Sequence, residues 1–137
     1  MSVEENKLLV KNFYAAIERM DFEALHDMVH EDFVFYPQVD SPHPGVQGLA
    51  ASEKASFESF ESFRFPVVEM VAEGDKVAAY MYFEGKGFRN PDSEIPARGQ
   101  NIRISLFHLL TIKDGKIIEK RAHFDHADVA NQLASQI

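Results

Sequence analysis

Apolar residues recur at helical spacing near the start of the chain. Leu9, Phe13 and Ile17 stand four positions apart, so the pattern predicts an amphipathic helix over residues 4–20 with one buried face. Asp21 is a residue type that caps helix N-termini, and the sequence after it favours a second, short helix. The chain is therefore predicted to begin with two helices.

The middle of the chain changes character twice. Residues 33–36, Phe-Val-Phe-Tyr, have the composition of a strand, and the prolines and glycines of residues 37–48 exclude regular structure there. A helical pattern returns over residues 49–63, where Phe57 and Phe60 are spaced by three. We expect a third helix in this segment.

The second half of the chain has the period of strands. Charged turn sequences at residues 73–76 and 113–116 separate its apolar runs, and the Asp-Gly of the second turn is a strong hairpin signal. The predicted strands cover residues 65–72, 77–84, 102–112 and 117–124, and a short helix is expected over 127–137. Helices followed by an antiparallel meander predict an α+β fold in one domain, residues 1–137, with the helices packed on one face of the sheet.

Composition and charge exclude several classes of protein. Lys and Arg total 14 against 22 Asp and Glu, and the net charge of −8 disfavours binding to nucleic acid or to anionic membrane surfaces. The absence of cysteine excludes disulfides, thiolate nucleophiles and cysteine-bound metals. No apolar run approaches the roughly 18 residues of a membrane span, and the acidic N-terminus does not have the pattern of a signal peptide. We expect a soluble cytoplasmic protein.

Two strands carry the candidate chemistry. Alternation within residues 102–112 places His108 on an otherwise apolar face, which fits either a core histidine bonded to a backbone carbonyl or a site residue. In the last strand His123 and Asp125 are two positions apart, so both point to the same side of the sheet. An imidazole and a carboxylate that converge on an aromatic cavity can remove a proton next to a carbonyl group and stabilise the resulting charge. The alternative is a strand end whose polar residues meet solvent.

Metal and phosphate sites have weaker support. His123, Asp125 and His126 could donate metal ligands, but no further ligand has a diagnostic spacing. His26 and His30 are four apart on a predicted helix, without the glutamate of the helical zinc motif. The chain has neither a glycine-rich phosphate loop nor a Gly-x-Ser-x-Gly motif. We expect no metal and no cofactor.

Several short segments occur in the order and spacing of a known family. They are Asn12–Ile17, Asp21–Leu25, Glu31–Val34, Glu73–Ala78 and Asp114–Glu119. Together they cover nearly the whole chain, which resembles the SnoaL-like branch of the nuclear-transport-factor-2-like superfamily. The resemblance implies a cone-shaped α+β barrel, in which a curved antiparallel sheet wraps around the N-terminal helices and a pocket, and it implies a homodimer formed through the open sheet face.

The resemblance also implies a chemistry. SnoaL-like polyketide cyclases close a ring by an intramolecular aldol reaction without a cofactor, using an Asp on the last strand with a His two residues before it. By this resemblance Asp125 is the expected general base, and His123 polarises the substrate carbonyl. His108, on the neighbouring strand, is expected to join them as a hydrogen-bond donor.

The expected ligand is a small apolar or aromatic carbonyl compound. Twelve phenylalanines and four tyrosines can fill a core and still line a cavity. The expected lining residues are Phe13, Tyr14, Ile17, Phe35, Tyr36, Phe57, Phe60 and Leu106. Because one fold hosts many functions, a non-catalytic ligand-binding or dimerisation module is the alternative to a cyclase- or isomerase-type enzyme.

Overall fold

The computed structural model describes residues 2–137, which form seven strands, three α-helices and one 3₁₀ helix. In chain order the elements are α1 (Val3–Glu18), a 3₁₀ helix (Phe22–Asp27), β1 (Val29–Tyr36), β2 (His43–Pro44), α2 (Val46–Glu58), β3 (Phe60–Arg64), β4 (Val67–Glu73), β5 (Lys76–Phe88), β6 (Ile102–Lys113), β7 (Lys116–Phe124) and α3 (His126–Ala134). None of the described helices combines the length and apolarity that a membrane span requires.

The first helix forms where its spacing predicts. The Ser2 hydroxyl caps α1 by accepting a hydrogen bond from the backbone N–H of Glu5, and the Glu5 carboxylate accepts one from the backbone N–H of Ser2, so two end donors are satisfied. Phe13 and Ile17 are fully buried on the inner face of α1. Asp21 caps the segment after α1 by accepting from the N–H of Ala24, and this segment is a 3₁₀ helix.

Two predicted boundaries and one predicted loop are wrong. Residues 37–48 were expected to lack regular structure, but His43 and Pro44 pair with β1 as β2, and α2 begins at Val46. The first strand begins at Val29 rather than at residue 33, and the third helix ends at Glu58 rather than at 63. Phe60 begins β3 and pairs with Phe88, because long-range strand pairing overrides a local spacing of three that fits a helix. A Cβ on Gly85 would lie 2.7 Å from the Phe60 ring, so the glycine lets that ring lie across β5.

The strands form one curved, open sheet in the order β2-β1-β7-β6-β5-β3, with β4 also paired to β5. One edge of the 13-residue β5 pairs with β6, and its other edge is shared by two strands, β4 along the first half and β3 along the second. All pairings are antiparallel except that of β1 with β7, which is parallel. The α+β prediction is confirmed; the expectation of a wholly antiparallel sheet is wrong at this one pairing.

The inner face of β6 follows the predicted alternation. Even-numbered positions from Ile102 to Ile112 are buried, and the odd-numbered positions from Arg103 to Leu109 are exposed. His108 is among the buried positions, with 1% of its surface exposed. The inner face of the sheet therefore carries both the core and the candidate histidine.

Candidate functional site

A cavity of about 390 Å³ lies between the inner face of the sheet, α2 and α3. Seven of the twelve phenylalanines line it. They are Phe35, Phe57, Phe60, Phe65, Phe83, Phe88 and Phe124. The polar lining residues are Ser52, Glu53 and Ser56 on α2, Ser59 at its C-terminal cap, His108 on β6 and His126 at the start of α3. The cavity has the size and the mixture of apolar walls with few polar groups that is typical of small-molecule sites.

Four of the expected lining residues lie in the cavity wall: Phe35, Phe57, Phe60 and Leu106. The other four do not, so that part of the expectation is wrong. Phe13, Tyr14 and Ile17 of α1 are packed in the core, with at most 1% of their surface exposed. Tyr36 alternates with the inward Phe35, and its ring lies under the guanidinium of Arg121 at 4.1 Å.

Tyr14 contacts the site through His108. The phenol oxygen of Tyr14 lies 2.6 Å from Nδ1 of His108, and both groups are buried. Burial raises the pKa of Tyr14 well above 10.0, and the charge of Glu53 raises it further. Burial also lowers the pKa of His108 well below 6.5, with further lowering by the charges of Lys120 and His123. Both members of the hydrogen bond are therefore neutral at pH 7.

This hydrogen bond assigns the histidine tautomer. Among the described residues, His108 Nδ1 is the one hydrogen-bond partner of the Tyr14 hydroxyl, so the phenol proton is satisfied only if Nδ1 accepts it. A neutral imidazole that accepts at Nδ1 carries its proton on Nε2. Nε2–H is then the ring donor that His108 can offer to a ligand in the cavity.

A buried ion pair lies beside this histidine. Lys120 Nζ is 3.2 Å from Oε1 of Glu53, and the lysine side chain is fully buried while 14% of the glutamate side chain is exposed. Burial lowers the pKa of Lys120, and both the charge and the hydrogen bond of Glu53 oppose that effect. Glu53 is the one carboxylate among the residues that line the cavity.

His123 and Asp125 lie elsewhere. His123 is exposed and pairs with the outward Phe107. Neither the His123 side chain nor the Asp125 side chain lines the cavity. Both contribute instead to a groove on the outer face of the sheet, beside Tyr80 and Asp128. The expectation that the two side chains point into the cavity is therefore wrong, although they do share one side.

Two local facts explain this placement. Ala122, not His123, is directly opposite His108 and faces the cavity, because side chains alternate along β7. Asp125 follows the end of β7 and is the N-cap of α3, where its Oδ1 accepts from the N–H groups of Ala127 at 2.9 Å and Asp128 at 3.2 Å. Its carboxylate is therefore hydrogen-bonded to the first turn of α3.

Glu53 and Lys120 were not among the predicted site residues. A signal for Glu53 exists, because Leu49, Glu53 and Phe57 are spaced by four on α2 and so share a face of the helix. Lys120 gives no such signal, since a lysine within Glu-Lys-Arg reads as a solvated stretch. Among the residues that the structure describes, no three His, Asp or Glu side chains converge as a metal site requires.

The fold and the cavity together define a class of protein, in which a curved α+β sheet encloses an aromatic cavity of the size of a small molecule. The family model of the SnoaL-like polyketide cyclases matches residues 7–133, and the chain belongs to that family. No curated protein sequence is significantly similar to the chain.

Solved structures agree on the fold. TsrD from Streptomyces laurentii is 24% identical, with 98% of both chains covered and a TM-score of 0.83. IdmH from Streptomyces antibioticus is 19% identical over 93% of this chain and 97% of its own, with a TM-score of 0.80. A SnoaL-like polyketide cyclase from Agrobacterium tumefaciens is 16% identical over 97% and 99%, with a TM-score of 0.77.

Proposed function

We propose that this protein binds a small apolar or aromatic carbonyl compound in the inner cavity and performs cofactor-free acid–base chemistry of the cyclase or isomerase type on it. The observation that carries the proposal is the Tyr14–His108 hydrogen bond of 2.6 Å at the wall of an aromatic cavity. It presents a neutral imidazole donor, held in one tautomer, to a site otherwise lined mainly by apolar side chains.

The cavity supplies a donor and a base. A carbonyl oxygen at His108 Nε2–H is polarised, and the Glu53 carboxylate takes a proton from the adjacent carbon. The electrons of that C–H bond form an enolate, whose oxygen is stabilised by Nε2–H. The enolate then either takes the proton back from Glu53 at another carbon of its conjugated system, as in a double-bond isomerisation, or its carbon attacks a second carbonyl of the same molecule, as in an aldol ring closure. In the second case the alkoxide that forms takes the proton from Glu53.

This proposal moves the general base from Asp125 to Glu53. Asp125 is occupied as the cap of α3, whereas Glu53 lines the same cavity as His108. A role for His123 and Asp125 in the reaction requires a substrate in the outer groove. In that groove the aromatic lining is far smaller than in the inner cavity, with Tyr80, Phe107 and Phe124 as its rings.

A non-catalytic ligand-binding protein is the second candidate. It is favoured by the absence of a carboxylate opposite His108, where the structure has Ala122. On this reading Glu53 serves only to neutralise Lys120. The two candidates share the ligand and the cavity and differ in whether a proton moves.

Exchange of the α-protons of 2-tetralone in D₂O, followed by proton NMR, separates them. We expect the wild type to bind this aromatic ketone and to accelerate exchange over buffer. Glu53→Gln is expected to reduce the enzymatic rate by roughly 100-fold, the lower range for loss of a general base, and His108→Gln to reduce it as well. Binding without accelerated exchange establishes the second candidate, and a rate unaffected by Glu53→Gln rules out Glu53 as the base.

We also propose that two copies pair through the outer face of the sheet. Val71, Phe107 and Leu109 are exposed there by 60%, 53% and 42%, and Tyr80 lies between Phe107 and the edge strand β4. An exposed apolar patch on a sheet face is typical of a protein–protein contact.

A further inference from the structure

Lys120 occupies a costly position for a lysine. It lies on the inner face of β7, next to Leu110 on β6 and Phe35 on β1, with none of its surface exposed. Removing an ammonium group from water costs several kcal/mol, and an apolar residue of similar volume often replaces a buried ion pair without loss of stability. Packing alone therefore gives no reason for a lysine here.

The groups around Lys120 hold its ammonium near the cavity. Among the residues that the structure describes, Glu53 of α2 is the one carboxylate within ion-pair distance of it, at 3.2 Å. The rings of Phe35 from β1 and Tyr14 from α1 face the ammonium at 5.0 and 5.4 Å, within the range of cation–π attraction. His108 on β6, hydrogen-bonded to the Tyr14 hydroxyl, is a further titratable group of the cluster, and the charge of Lys120 acts on it.

We infer that Lys120 is a positioning residue, whose ammonium fixes the Glu53 carboxylate at the cavity wall and keeps His108 in the neutral form that donates from Nε2. Oε1 of Glu53 is held by Lys120, which leaves Oε2 for the ligand. The positive charge of Lys120 favours the ionised form of Glu53 and disfavours the protonated form of His108. One ammonium group therefore keeps the base ionised and the imidazole neutral, as the proposed reaction requires.

The directions of the pKa shifts agree with this role. Lys120 lowers the pKa of His108, second only to burial. Removing the charge is thus expected to raise the pKa of His108 relative to the wild type. Two further titratable groups act on this cluster. His123 also lowers the pKa of His108. Glu53 raises the pKa of Lys120 and that of Tyr14.

The test uses Lys120→Met, which keeps the length of the side chain and removes the charge, with Lys116→Met on the exposed end of the same strand as the matched control. We expect Lys120→Met to bind 2-tetralone within about threefold of the wild type and to lose exchange by roughly tenfold or more, since a mispositioned base loses much of its advantage. The pKa of His108, followed by NMR, is expected to rise in Lys120→Met and to stay unchanged in Lys116→Met.

This inference rests on the proposed function, and the two fail differently. If the wild type accelerates no exchange, the proposed function is wrong, while the His108 titration still tests Lys120. If Lys120→Met has the exchange rate and the His108 titration of the wild type, Lys120 is only a structural residue. Should Lys120→Met not fold, the double variant Glu53→Gln/Lys120→Met removes both charges. It is expected to fold with a raised His108 pKa, and an unchanged pKa overturns the inference.

Discussion

At the scale of residues, the directions of two histidines decide which surface carries the chemistry, because His108 faces the inner cavity and His123 faces the outer groove. His108 lies among apolar neighbours spaced by two, so its inward direction follows from the sequence. The last strand gives no such pattern, because Ile117 and Ile118 are both apolar and the inward Lys120 is charged. The direction of His123 therefore depended on pairing, which places Ala122 opposite His108. Tyr14 was predicted as a lining residue, and its actual role, to hold His108, needs a contact between residues 94 apart in the chain.

The lowered pKa of His108 predicts a pH dependence of stability. Below pH 6.5 the unfolded chain binds a proton at this histidine that the folded chain does not bind. The stability that the neutral His108 contributes is therefore fully present above pH 6.5 and is lost as the pH falls toward the pKa of the folded state. Between pH 7 and pH 5.5 we expect the free energy of unfolding of the wild type to fall by about 1 kcal/mol more than that of His108→Gln. Urea denaturation at both pH values measures this difference, and parallel curves for the two proteins would contradict it.

At the scale of elements, the sequence predicts most of the helices and strands but not where they meet. Aromatic residues spaced by three favoured a helix to residue 63, whereas Phe60 and Phe63 belong to β3 and pair with β5. The short helix at the C-terminus was predicted to pack through Val129 and Leu133, but the pattern did not predict that these two residues line a cavity. Such contacts follow from the arrangement of whole elements, which local patterns do not determine.

Asp125 provides a test at this scale. Asp125→Ala removes the N-cap of α3 and is expected to cost about 1 kcal/mol of stability, whereas Asp125→Ser keeps a capping oxygen and is expected to cost little. Neither change is expected to alter the rate of α-proton exchange of 2-tetralone per folded molecule. Because serine caps but cannot act as a carboxylate base, loss of exchange in a stable Asp125→Ser variant would restore Asp125 as the base.

At the scale of the whole molecule, the order of segments predicts the family more reliably than any single motif does. Their spacing preserves the sequence of helices and strands that produces the curved sheet, and the family match over residues 7–133 confirms it. The same fold supports many chemistries, so the substrate does not follow from it. That residues 1–137 form a single domain in a cytoplasmic protein stays a prediction.

The outer face of the sheet gives a prediction for assembly. Phe107→Glu places a charge in the centre of the exposed apolar patch, and we expect it to convert a dimer into a monomer in light scattering after gel filtration. Val39→Glu is the matched control, because Val39 is also exposed, by 63%, and lies in the loop between β1 and β2. A wild type that is already monomeric at micromolar concentration would contradict the proposed pairing.

The central claim is that a carbonyl compound lies in the inner cavity with its oxygen at His108. A crystal structure of the protein with 2-tetralone bound tests this most directly. We expect the ketone oxygen to lie within hydrogen-bond distance of His108 Nε2 and the adjacent carbon to face the Glu53 carboxylate. A ketone bound instead in the outer groove, beside His123 and Asp125, would contradict it.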